Sequence, residues 1–382
     1  MTENNNTLPK GITPRSDGRY MGRFTHLGQP YTLYGHSPKK LKTELDDLKY
    51  EVTHGIYVKE ANITLEAWFS IWLETYKSVT VKAGTIQTYK QVFATLIQSE
   101  LGKYRLKNIR LAIVQRYINT LFQKGYSKAR INMVYVILLD MYKQAVKNGL
   151  VKDNPIQFVD LPKFGVKEEK RVLTIDEQRI FLNYAKFSSY YDFYVVALYT
   201  GMRCGEILAL EWSDIDFKTN LIKVQGTLVY MRNESRRYKD APKSKSSYRD
   251  IPMLDNVAEI LKQRRKNQSE IKLKMGRQWV SDDCLKNPVF TYNTGTVFWD
   301  TAIRVDIKKI VKKIQEHHED FKHITPHTFR HTFATRGLEK GIPPKVMQTI
   351  LGHATLAMTM DLYSHVLPNV KAEEMKKLEN II

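Results

Sequence analysis

The sequence predicts a multidomain chain, mainly α-helical with small β-sheets. Three observations carry this. The 382 residues exceed what one small core organises and suit two or three domains of about 100 to 200 residues each. Apolar side chains recur at the helical period across residues 62–157. Short strand-like stretches flanked by turn residues stand before and after that region, at 18–35 and 221–253.

The first segment, residues 1–61, opens with a polar tail. Residues 18–35 (GRYMGRFTHLGQPYTLYG) then alternate aromatic and small side chains around Gly28-Gln29-Pro30, as in strands joined by a turn. Leu41, Leu45 and Leu48 follow at helical spacing, so a helix is expected to pack on those strands. The second segment carries four apolar stripes. They run through Leu65, Trp68, Phe69, Trp72, Leu73 and Tyr76; Ile86, Tyr89, Val92, Phe93, Leu96 and Ile97; Ile113, Tyr117 and Leu121; and Ile131, Val134, Tyr135, Leu138 and Tyr142. Four helices follow from this, with the aromatic rings as core. Leu161 to Lys170 has no apolar period and reads as an exposed linker. Thr174 with Glu177 makes a capping box opening the next helix.

Composition narrows the function classes. With 42% hydrophobic and 26% charged residues the chain is a folded one. It has no run of about 20 apolar residues and no signal-peptide layout, so neither membrane insertion nor secretion is expected. Two cysteines, Cys204 and Cys284, make neither a disulfide framework nor a thiolate metal cage. The expected compartment is a reducing cytoplasm. A net charge of +20 attracts polyanions, nucleic acid foremost. The excess is densest in residues 62–163, where 15 basic side chains face 6 acidic ones.

Four places in the last 200 residues set basic or imidazole groups at element boundaries. Gly201 permits a sharp turn after an apolar helix, so Arg203 emerges at a helix start, where orphan amides also face an anion. Residues 221–225 and 249–253 read as strands, and between them lies a basic hairpin with Lys243 and Lys245, which taken alone is a solubilising loop. His327, Arg330 and His331 stand at i, i+3 and i+4 on a helix begun by Thr325-Pro326, with Phe329 and Phe333 toward the core. A zinc-protease reading fails, because Thr328 stands where its general-base glutamate belongs. Gly352 is a helix C-cap that turns His353 outward, and Tyr363 follows ten residues later.

The ordered set Thr200-Gly-Met-Arg203-Cys-Gly-Glu206, Lys243, His327-Thr-Phe-Arg330-His331, Leu351-Gly-His353 and Asp361-Leu-Tyr363-Ser-His365 resembles the tyrosine recombinases, or phage-type integrases. Among them it is most like the integrases of conjugative transposons and integrative conjugative elements. The resemblance implies an arm-site DNA-binding domain over 1–61 and a helical, SAM-like core-binding domain over 62–160. A linker over 161–172 and a mixed α+β catalytic domain over 173–382 follow. The tail from Lys371 to Ile382 is expected to dock on a neighbouring catalytic domain.

The implied chemistry is cleavage and rejoining of DNA through a 3′-phosphotyrosine and a Holliday junction, integrating and excising a mobile element. Tyr363 is the nucleophile. Arg203, Arg330, His327 and His353 hold the phosphate oxygens, and Lys243 protonates the leaving 5′-oxygen, with Lys245 its competitor. Glu206 and His331 support the pocket. No metal or cofactor is expected, because arginine forks stand where other enzymes place magnesium. The implied partners are double-stranded DNA at core and arm sites, three further copies of the chain, an excisionase and a host DNA-bending protein, in a bacterial cytoplasm. A type IB topoisomerase shares the chemistry but not the arm-like domain. A helix-turn-helix regulator built on Pro343 to Val366 would leave Arg203, Lys243 and Arg330 unexplained.

Overall fold

The computed structural model describes residues 8–53, 62–165, 170–231, 236–240, 247–280 and 283–363. The chain divides into two compact units, Met1–Val166 and Lys167–Ile382.

The first unit begins with an antiparallel sheet of β1 (Ile12–Pro14), β2 (Tyr20–His26) and β3 (Gln29–Gly35). The turn falls at Leu27-Gly28, both with positive φ, between the paired His26 and Gln29. It is therefore one residue earlier than the sequence suggested, and Pro30 lies inside β3. A two-residue loop with both φ positive matches the right-handed strand twist. Helix α1 (Pro38–Thr53) lays Leu41 and Leu45 against Ile12, with Tyr20, Phe24 and Leu33 around them. Gly22 makes the close approach possible, since a Cβ there would meet Ile12 at 3.0 Å and Leu45 at 3.1 Å.

Four helical rods follow. The first joins α2 (Leu65–Ile71) to a wider π-helical stretch over Trp72–Lys77. The second joins α3 (Ala83–Val92), a like stretch over Phe93–Ile97, and α4 (Gln98–Leu101). Then come α5 (Leu111–Gln123) and α6 (Lys128–Lys147). The apolar stripes meet in one core, where Phe69 stacks on Phe93 at 3.8 Å and the Trp68 indole donates to the Met141 carbonyl at 3.0 Å. The aromatic rings are core, as their spacing suggested. Phe164 also packs on this core, edge-on to Phe122. The start of the stretch read as an exposed linker is thus anchored by its one aromatic ring.

The second unit opens with α7 (Ile175–Ala185), whose capping box pairs Thr174 and Glu177 reciprocally. Next are α8 (Tyr191–Thr200) and the short α9 (Cys204–Leu208). Strands β4 (Ile215–Asp216) and β5 (Leu221–Val224) are followed by the antiparallel pair β6 (Thr227–Met231) and β7 (Arg236–Asp240). Strand β8 (Arg249–Pro252) returns beside β5 in a sheet of order β4-β5-β8. The long α10 (Asp255–Met275), α11 (Asp300–Gln315), α12 (Pro326–Glu339), α13 (Pro344–Leu351) and α14 (Leu356–Tyr363) complete the unit. Phe181, Tyr194 and Phe329 bring α7, α8 and α12 together at centroid distances of 5.2 to 5.7 Å. Phe329 therefore faces the core, and Arg330, the next residue, is directed elsewhere on α12.

Candidate active site

Gly201 ends α8 in the left-handed conformation, with φ 63°. A Cβ there would also lie 2.3 Å from the Phe333 ring, so the position needs glycine on two counts. The chain reverses through buried Met202, and Arg203 becomes the N-cap of α9. Glu206 reaches back to accept the Arg203 amide at 2.9 Å and the Arg203 Nη1 at 2.7 Å. The Arg203 amide is thus taken by a carboxylate of the same turn.

A second guanidinium meets that carboxylate. Arg249, at the start of β8, donates from Nη2 to Glu206 Oε2 at 2.9 Å and from Nη1 to Oε1 at 3.3 Å. Burial raises the pKa of the Glu206 carboxyl, but the Arg249 hydrogen bond and charge, then those of Arg203, outweigh it and hold the group below the usual carboxylate range. Arg330, only 4% exposed, sends Nη1 to the Gly201 carbonyl at 2.7 Å and Nη2 to the Leu351 carbonyl at 2.6 Å. Burial, then the charge of Arg203, pushes it down to about 9, which leaves it protonated at neutral pH.

The three arginines converge on one helix end. Arg249 Nε donates to the carbonyl of Ile350, Arg330 to that of Leu351, and Arg203 Nη2 to that of Gly352 at 3.3 Å. A helix leaves its last carbonyls unpaired and carries partial negative charge there. At α13 three consecutive carbonyls are satisfied by cations from α9, β8 and α12. Gly352, with φ 64°, ends the helix, and a Cβ on it would press on Arg249 Nη1 at 3.0 Å.

The histidines surround this cluster as neutral rings. His353 is buried rather than projecting outward, because its Nδ1 lies 2.9 Å from the Thr359 hydroxyl of α14. Burial, then the charges of Arg330 and Arg203, brings it down to about 4. His331 is lowered to about 4 by burial and then Lys170, and its buried Nδ1 makes no hydrogen bond among the described residues. His327 keeps solvent access on the first turn of α12, yet the surrounding protein, then Arg330, Arg304 and Arg203, holds it below its ordinary value. Buried Cys204 has its thiol pushed up to about 12, chiefly by burial.

Tyr363 closes α14, one helical turn beyond Thr359. Lys243 and Lys245 lie outside the described residues, as do His365 and the tail from Lys371. On β7, Lys239 pairs with Glu211 at 2.8 Å and Asp214 at 3.3 Å. Two residues of the cluster were not singled out in the sequence, Arg249 and Thr359. Arg249 had left a signal, since in the alternation of β8 it shares the buried register with Ile251. A charge in an apolar register needs a partner. Among the described residues no group of three or more His, Cys, Asp or Glu side chains is placed to hold a metal. Nor is any helix among them long and apolar enough to cross a membrane.

Three arginines around one helix end, Arg249 and Arg330 buried and Arg203 partly open to solvent, with imidazoles beside them, are equipped to hold an anion and to move protons beside it. Residues 167–369 match the family model described as the phage integrase family, and residues 64–122 that of the phage integrase N-terminal SAM-like domain. The chain belongs to the phage integrase family, the tyrosine recombinases, enzymes that cleave and rejoin DNA.

It is 28% identical over 362 residues to a tyrosine recombinase XerC-like protein of Caldanaerobacter subterraneus subsp. tengcongensis, covering 91% of each chain. It is 26% identical over 396 residues to the transposase from transposon Tn916 of Enterococcus faecalis, covering 97% of this chain and 94% of that one. Among solved structures it is similar to the Tn1549 transposon integrase in complex with transposon right end DNA. There the TM-score is 0.71 at 26% identity, covering 83% of this chain and all of that one.

Proposed function

We propose that this chain integrates and excises a mobile element by site-specific recombination, with Tyr363 as the nucleophile. The Tyr363 phenol oxygen attacks the scissile phosphorus and the bond to the 5′-oxygen breaks, leaving a 3′-phosphotyrosine and a 5′-hydroxyl. A phenol of ordinary pKa, about 10, is almost wholly protonated at pH 7, so it needs both a base and a cationic pocket. His327, neutral and solvent-accessible, accepts the phenolic proton. Arg203 and Arg330 hold the non-bridging oxygens, where negative charge accumulates as phosphorus becomes five-coordinate, and His353 adds a hydrogen bond. Lys243 delivers a proton to the departing 5′-oxygen. Rejoining reverses these steps with a 5′-hydroxyl from the partner duplex, and the phosphotyrosine bond conserves the energy that ligation needs.

The observation that carries this reading is the convergence of Arg203 and Arg330 on adjacent carbonyls, Gly352 and Leu351. Each fork spends two of its five N–H donors on protein acceptors, which keeps the others for a phosphate. The relatives support the element: one is a transposase of a transposon, and the Tn1549 integrase is seen with transposon end DNA and with a circular intermediate DNA.

The DNA partner is a duplex clamped by basic surfaces, and four copies of the chain supply the four cleavages that two strand exchanges require. Residues 1–61 serve separate arm sites, and residues 371–382 dock on a neighbouring catalytic domain. An excisionase and a host DNA-bending protein set direction. Incubation with a nicked duplex carrying the element's junction tests the reading. A protein–DNA adduct resistant to denaturation and lost in Tyr363→Phe is expected, and an adduct that persists in that variant overturns the assignment.

A further inference from the structure

Arg249 is the most heavily engaged of the three arginines. Its Nε, both directions of Nη1 and Nη2 are spent on Ile350, Ser247 and both oxygens of Glu206. Its side chain is 3% exposed, against 33% for Arg203. With four of five donors committed inside the protein it is not placed to bind substrate. Its surroundings nevertheless lock the two groups that are. It orients the Glu206 carboxylate, whose other contacts are the Arg203 amide and Arg203 Nη1. It also pins Ile350, so the carbonyls of Leu351 and Gly352 stand where Arg330 and Arg203 find them.

We infer that Arg249 is a positioning residue for phosphate-charge stabilisation: through Glu206 and the end of α13 it fixes the Arg203 fork in its working orientation. This rests on the reading of Arg203 as a phosphate ligand. Lysine cannot replace it, because an ammonium is a single point of donors and cannot grip two carboxylate oxygens and a carbonyl in one plane. Glu206 without Arg249 would rotate toward Arg203 alone or take up water, and the fork would lose its fixed plane.

A merely structural role predicts a uniform loss, whereas a role through Arg203 predicts a loss that depends on the charge of the scissile phosphate. Single-turnover adduct formation is therefore measured for wild type, Arg249→Lys and Arg203→Ala on two nicked junction duplexes. One carries the ordinary scissile phosphodiester; the other carries a methylphosphonate, which lacks the negative charge that Arg203 offsets. On the phosphodiester Arg249→Lys is expected to fall by about 10². On the methylphosphonate the gap to wild type shrinks to within about tenfold, in parallel with Arg203→Ala. An equal gap on both duplexes, or unimpaired cleavage of the phosphodiester, overturns the inference. Glu206→Gln, of the same shape, is read in the same way should Arg249→Lys not fold. If wild type itself forms no adduct, the proposed function fails, a result distinct from either outcome for Arg249.

Discussion

The His353 imidazole and the Thr359 hydroxyl lie 2.9 Å apart, both buried, so the ring that follows the end of α13 is tied to the helix that ends on Tyr363. This contact joins the arginine-capped end of α13 to α14, the helix that carries the proposed nucleophile. Thr359→Val keeps the shape and removes the hydroxyl, leaving His353 Nδ1 without its partner. A loss of about 1 to 3 kcal/mol in stability is expected in urea unfolding. Adduct formation should fall by about tenfold, the size of one hydrogen bond's worth of misplacement.

Arg330 bridges two backbone carbonyls, Gly201 and Leu351, from a buried position. Arg330→Ala removes both bonds and the charge. Single-turnover cleavage is expected to drop by at least about 10² to 10³. Thermal denaturation should show a lower midpoint as well, because two buried carbonyls lose their donors.

Gly201→Ala puts a Cβ into the Phe333 ring and into a left-handed backbone. The conformational cost alone is about 1 to 2 kcal/mol, and the contact adds to it. The variant should be less stable, and its cleavage rate should fall too, since Arg203 follows two residues later. Gly84→Ala, in open space within α3, is the control and should be neutral or stabilising.

His331 and His353 both have pKa values near 4 in the folded chain, against an ordinary 6.5. Above pH 6.5 they are neutral folded or unfolded and cost nothing. As pH falls from 6.5 toward 4 the unfolded chain takes up protons that the folded one refuses, so stability declines through that window and levels below it. Urea unfolding between pH 7.5 and 4 should show this decline. In His331→Asn with His353→Asn its slope should be shallower.

What could be read from the sequence was local or ordered. The stripes from Leu65 to Tyr142 stated their helices because each buries one face. Gly201 and Gly352 marked turns that only glycine makes, and Thr174 with Glu177 announced a helix start three residues apart. The family resemblance put Arg203 and Arg330 on one phosphate, but the part of Arg249 and the capping of α13 were out of reach, because Arg249 and Ile350 stand 101 positions apart and Arg330 and Gly201 129 apart. Spacing cannot give a contact of that kind. The position of His353 failed for a related reason: a C-cap glycine says that the chain turns, not that the following α14 will fold over the ring. The hairpin turn slipped by one residue because Leu27 accepts a positive φ that composition assigns to glycine.

The proposed reaction passes through a covalent bond between Tyr363 and DNA. Mass spectrometry of the peptide left on a nicked junction duplex after trypsin digestion tests it most directly. A phosphodiester-linked peptide with the attachment at Tyr363 is the predicted result. Attachment at any other residue, or release of both DNA ends without a covalent link, contradicts it.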